Sequence, residues 1–115
     1  MKNHEMSLNP EPFAAIQAGS QLIETRINDE KRRSIEPGDI VTFFLRPERQ
    51  ESFKALVLGK SVFLTFIDLF SAIDEARFGY PPKTTPTEMA DNMKKYYTNE
   101  EEEKYGVVGF HVKVI

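Results

Sequence analysis

Between Gln21 and Asn28 the chain alternates with a period of two, which limits the segment to one kind of element. Side chains on a strand point to opposite faces in turn. Ile23, Thr25 and Ile27 therefore share one face, and Leu22, Glu24, Arg26 and Asn28 share the other. The first set suits a hydrophobic core. The second does not, because a carboxylate and a guanidinium are costly to bury unless their hydrogen bonds are met. The expectation is a half-buried strand with Glu24 and Arg26 projecting together from its polar face.

The rest of the chain switches between this period and the helical one. Met6 and Leu8 mark a short strand over His4 to Leu8. Asn9-Pro10-Glu11-Pro12 opens a helix, with Asn9 as the side-chain cap and Phe13 and Ile16 turned to the core, and Gly19 closes it. Asp29 to Arg33 reads as a charged loop or short turn, and Ile35 to Asp39 as a tight Pro-Gly reversal. Ile40 to Leu45 is a strand dense enough in Val, Ile and Phe to be buried on both faces. A polar connection, Arg46 to Glu51, leads to a strand over Ser52 to Gly59. Phe66, Leu69, Phe70 and Ile73 then share a helical face, and Gly79 to Lys83 breaks that helix. Thr85-Pro86-Thr87-Glu88 is a capping box that starts a helix with Met89, Met93 and Tyr96 or Tyr97 inward. Thr98 to Glu101 repeats the spacing before a short acidic turn, and Val107 to Ile115 closes the chain as a strand. The order β-α-β-β-β-α-α-β, with strands close in sequence, predicts an α+β fold: a mostly antiparallel sheet curled into an open β-barrel and flanked by helices.

At 115 residues this is one domain, residues 1–115, with a single core's worth of apolar side chains. The absence of cysteine excludes disulfides, thiolate zinc sites and a cysteine nucleophile. No apolar run approaches the roughly 20 residues that span a bilayer, and Met1 to Glu5 has no signal-peptide character. A cytoplasmic protein with no membrane partner and no obligate protein partner is expected. The net charge of −3 hides a local basic cluster, Arg26 with Lys31, Arg32 and Arg33, and an acidic run from Glu100 to Glu103. His4 and His111 are the two histidines; they fall on predicted terminal strands that can be neighbours, but no metal-binding spacing exists. No metal or cofactor is expected.

Gly19-Ser20-Gln21-Leu22-Ile23-Glu24-Thr25-Arg26 resembles the Gly-x-Lys-x-x-Glu-x-Arg signature of ASCH domains, a group of the PUA-like superfamily. The setting is similar too: a Pro-Phe helix before Gly19, the continuation Asn28 to Arg32, the Pro37-Gly38-Asp39 turn, and a closing segment from Tyr96 to Phe110 like that of small bacterial ASCH proteins. The resemblance implies a PUA-like β-barrel whose cleft is lined by the signature and binds RNA. One branch of the family comprises amidohydrolases that deacetylate N4-acetylcytidine with a lysine, a threonine and a glutamate, and another member is a ribonuclease. This chain departs from the amidohydrolase pattern at each position. Gln21 stands where the lysine belongs, Glu24 where the threonine belongs, and no glutamate matches near Pro81 to Thr85. A neutral amide neither acts as a base nor activates a nucleophile.

The leading expectation is a module that binds RNA or a nucleotide derivative. Arg26 would grip a phosphate or base edge, Glu24 would orient it, and Gln21 and Asn28 would read polar edges. Lys31 and Arg32 would add attraction for the backbone, and Tyr97 a stacking ring. For each there is a plainer role: a surface ion pair contributing about 0–1 kcal/mol, a solvated loop neutralised by Asp29 and Glu30, and a tyrosine at the core edge. The alternative is a hydrolase of a modified nucleoside or RNA with Glu24 as general base, although an adjacent guanidinium works against strong base catalysis. A third reading, a protein-binding surface over Phe63 to Phe70, requires those rings to be exposed.

Overall fold

A computed structural model describes the whole chain, residues 1–115. Five strands, β1 (Asn3–Leu8), β2 (Ile23–Ile27), β3 (Ile40–Leu45), β4 (Ser52–Phe63) and β5 (Val107–Val114), form one sheet in the order β1-β3-β4-β5-β2. Five helices accompany it: α1 (Pro10–Ala18), α2 (Glu30–Arg33), α3 (Phe66–Ala72), α4 (Pro86–Met93) and α5 (Asn99–Tyr105), with a 3-10 turn at Glu75–Phe78. The fold is α+β, a curled half-barrel flanked by helices, as the sequence predicts. Three of the four strand pairings are antiparallel; β1 runs parallel to β3, because α1, β2 and α2 carry the chain across before β3 begins.

The sheet divides two cores. Met6, Leu8, Val41, Phe43, Ala55, Val57, Val108 and Phe110 line the inside of the barrel, where Phe13 and Ile16 of α1 and Ile35 plug it. On the outer side Ile23, Ile27 and Val107 meet Phe66, Leu69 and Phe70 of α3, Phe78, and Met89 and Met93 of α4. Strands β2 and β5 are therefore a wall with a core on each side. Phe66 and Phe70 are buried here and Phe63 is half-buried, so the rings that a protein-binding reading needs exposed are largely turned inward, while Leu64 and Ile67 are exposed.

Local details correct several sequence expectations. Gly19 does end α1 in the left-handed region, at φ 83°, but Asn9 makes no side-chain cap bond. Its Oδ1 instead accepts from Arg46 Nη1 at 3.4 Å. Of the two readings for Asp29 to Arg33, the short turn holds: it is one helical turn, capped by Asp29 Oδ1, which accepts from Arg32 N at 3.1 Å. Strand β4 does not stop at Gly59; a register slip between Val57 and Gly59 bends it there, and it continues to Phe63. Strand β3 is closed on its barrel face, with Val41 and Phe43 buried, while Thr42 and Phe44 are half-exposed. The Thr85 and Thr98 capping boxes both form, the second opening a full α5. His4 and His111 are not neighbours, because β3 and β4 separate their strands.

Asp39 fastens the first strand to the Pro37-Gly38 turn. Its Oδ2 accepts from His4 Nε2 at 2.9 Å and Glu36 N at 3.0 Å, and its Oδ1 from Lys2 N at 3.0 Å. The Glu36 N–H first, then His4 and the Lys2 N–H, hold this carboxylate well below its ordinary 3.8. A depressed folded-state value makes the contribution to stability complete above 3.8 and lost as pH falls below it toward the folded-state value. Urea midpoints measured from neutral pH down to about pH 3 should fall less steeply for Asp39→Asn than for the wild type, from a lower starting point. Parallel profiles would remove Asp39 from the acid sensitivity.

Candidate functional site

Glu24 and Arg26 stand on β2 opposite Phe110 and Val108 of β5, both of which point into the barrel. Their face is thus the inner one, and the pair is more than nine-tenths buried rather than half-exposed. Alternation placed the two side chains together correctly; it could not show that the second face of β2 also meets a core. Arg26 Nε donates to Glu24 Oε2 at 2.8 Å, and Nη2 lies at the same distance from that oxygen, a close ion pair. Arg26 Nη2 also donates to the Ser7 carbonyl at 2.9 Å. Since β1 and β2 are the two edges of the sheet, this bond spans the open seam of the half-barrel.

Gln21 extends the network. Its Nε2 donates to the Ile23 carbonyl at 3.0 Å and lies 3.5 Å from Glu24 Oε1. Burial alone would lower the Arg26 pKa, but the Glu24 carboxylate and then the Tyr97 hydroxyl outweigh it, and the guanidinium is held above its ordinary value. The Tyr97 ring stacks on Phe66, centroids 6.0 Å apart, and edges the outer core.

Tyr80 was not anticipated. Asn92 Nδ2 donates to its hydroxyl at 2.8 Å. Burial pushes the phenol up against that bond, with Tyr96, Glu11 and Glu24 adding in the same direction. Tyr80, on a loop, is thus tied to α4 through Asn92 and feels the Glu24 charge. The only local hint was a tyrosine beside Pro81-Pro82, in a segment too irregular for period counting.

The remaining predicted residues lie elsewhere in the network or outside it. Asn28 is buried at the end of β2, its Oδ1 without a partner, at the wall of a recess of about 600 Å3 shared with Arg33, Val62, Leu64 and Tyr105. Arg32 is tied to Asp29 at 3.0 Å, whereas Lys31 is exposed and enters no ion pair. Arg33 is spent on the carbonyls of Asn28 and Tyr105, at 2.7 and 3.1 Å. A second recess, of about 370 Å3 between α3, α4 and α5, has Tyr97 on its wall with Lys94 and Glu102. Glu24 and Arg26 line neither recess directly; Tyr97 is the link between the second and the buried pair. No group of three or more His, Asp or Glu side chains is arranged to hold a metal ion, and no helix is long and apolar enough to cross a membrane.

No family model matches the chain, nor does any curated protein. Among solved structures, the crystal structure of hypothetical protein PH0355 is 33% identical over the whole of both chains, with a TM-score of 0.81. The solution structure of PF0455 from Pyrococcus furiosus is 28% identical, covering 100% of this chain and 98% of that one, with a TM-score of 0.72. A tyrosine-to-phenylalanine mutant of ZmASCH from Zymomonas mobilis matches at 14% identity over 100% of this chain and 76% of that one, with a TM-score of 0.57. At that identity ZmASCH speaks for the fold alone, and it places the half-barrel among ASCH-domain architectures. By sequence and structure together, this chain belongs to the family of the hypothetical protein PH0355.

Proposed function

We propose that this protein is a binding module for RNA or a nucleotide derivative, centred on Glu24 and Arg26. The observation that carries the reading is a buried carboxylate–guanidinium pair at the barrel seam, with the Gln21 amide 3.5 Å from its carboxylate and Tyr97 acting on its guanidinium. Amide, phenol and guanidinium groups offer the donors and acceptors that read a base edge, and Tyr97 connects them to an open recess. The ASCH-like fold supports the same reading. Exposed Lys31, Lys94 and Lys95 supply cations for a phosphate backbone. Binding is favoured over hydrolysis because Glu24 Oε2 already accepts from Arg26 Nε and is ion-paired with its guanidinium, and Gln21 brings no proton-transferring group.

Fluorescence anisotropy with a short single-stranded RNA, read across a salt series, tests this. Wild type should bind with an affinity that falls as salt rises. Gln21→Ala and Tyr97→Phe, which leave the ion pair in place, should each weaken binding by about tenfold, the loss of one well-placed hydrogen bond to a charged or polar group. No binding by wild type at low salt, or binding by both variants as tight as that of wild type, would sink the proposal.

A further inference from the structure

A second cluster of polar side chains lies on the other face of β5. His111 sits in register with Gly59 of β4 on one side and Ile23 of β2 on the other. Gly59 has no side chain, and nothing lies within 4 Å of where its Cβ would be, so the space beside the imidazole is open. Ser61 Oγ is 2.8 Å from His111 Nε2, and Arg77 Nη2 is 3.5 Å from Nδ1. Arg77 is exposed and takes part in no ion pair.

Two chemistries fit a serine beside a histidine, and Arg77 decides between them. A serine nucleophile needs Nε2 free to accept its proton, which puts the ring proton on Nδ1. Arg77 faces Nδ1 and has only donors, so it favours Nδ1 as the acceptor and leaves Nε2–H to donate to Ser61. That tautomer is wrong for base catalysis. What remains is a guanidinium, a hydroxyl and an imidazole that gains a second N–H on protonation, with no carboxylate among them, a set suited to an oxyanion.

We propose that Arg77, His111 and Ser61 form a binding subsite for a phosphoryl group, separate from the Glu24–Arg26 pair. Burial, and then Arg77, lowers the His111 pKa, which favours the neutral imidazole. Arg77 is the charged group acting on it; Gly59 and Ser61 of β4 and Ile23 of β2 bring none. A bound phosphate would offset the Arg77 charge and favour the protonated ring. The subsite does not depend on the reading of Glu24 and Arg26, and it can hold if that reading fails.

The chain has two histidines, so His4, held on Asp39, is an internal reference. Imidazole resonances should be followed by NMR through a pH titration, in inorganic phosphate, in adenosine 5′-monophosphate and in matched chloride. Phosphate should move the His111 midpoint upward, and matched chloride should not. Arg77→Gln should weaken the apparent phosphate affinity by about tenfold, as expected for losing one charge-assisted contact. The Arg77 side chain is exposed, and its backbone carbonyl still receives Leu22 N, so the variant keeps the fold. Tighter binding of the mononucleotide than of phosphate would assign the source as a nucleotide; equal binding would assign it as free phosphate. A His111 midpoint unmoved by either ligand, or moved equally in Arg77→Gln, would overturn the proposal.

Discussion

Arg26→Ala is expected to destabilise the protein by about 3–5 kcal/mol in urea denaturation, the cost of leaving one member of a buried ion pair alone. The surface-pair alternative would give only about 0–1 kcal/mol, so the two accounts are easily separated. The side chains of Arg26 and Glu24 are 9% and 10% exposed, which puts the pair in the buried regime. The same truncation leaves the Ser7 carbonyl without its donor across the barrel seam. Replacing both partners together, as Glu24→Leu with Arg26→Met, removes the stranded charge and should recover most of the loss. A loss below about 1 kcal/mol for Arg26→Ala would show that water reaches Glu24.

Gly106→Ala should be nearly as damaging, for a reason that has no charge in it. Gly106 lies at φ 72° and ψ −169°, a region that L residues almost never occupy, with strain of about 1–3 kcal/mol. A Cβ there would also stand 2.9 Å from the Phe63 carbonyl oxygen, an atom of the β4 backbone. Backbone cannot rotate aside as a side chain can, so the overlap adds to the strain. Gly19→Ala separates the two terms: its φ of 83° is also left-handed, yet nothing lies within 4 Å of the added carbon. Thermal or urea midpoints should fall clearly further for Gly106→Ala than for Gly19→Ala. Equal losses would mean that β4 yields at Phe63.

Much of this architecture can be read from local pattern. The switch from alternating residues in β4 to Phe66, Leu69 and Phe70 in α3 marks a strand and then a helix, and Thr85 with Glu88 marks the start of α4. Such features depend on near neighbours in the chain. The bend at Gly59 and the length of β4 were less visible, because a glycine in a strand signals an end and a bulge alike. The pairing of β1 with β3 is a choice between distant partners and leaves no trace in either segment. The site shows the same division. That Glu24 and Arg26 meet follows from a spacing of two; that the Ser7 carbonyl receives Arg26 across the seam follows from tertiary folding. Polarity marked their face of β2 as solvent-facing, and only the curl of the barrel makes it interior.

The wall formed by β2 and β5 also bears on how the molecule comes apart. Adjacent residues of β5, Val107 and Val108, are packed into different cores. Neither core can be exposed without disturbing the strand that supports the other. The barrel and its helical cover are therefore expected to unfold as one cooperative unit rather than as two subdomains, with the amides of β5 opening only when the whole chain does.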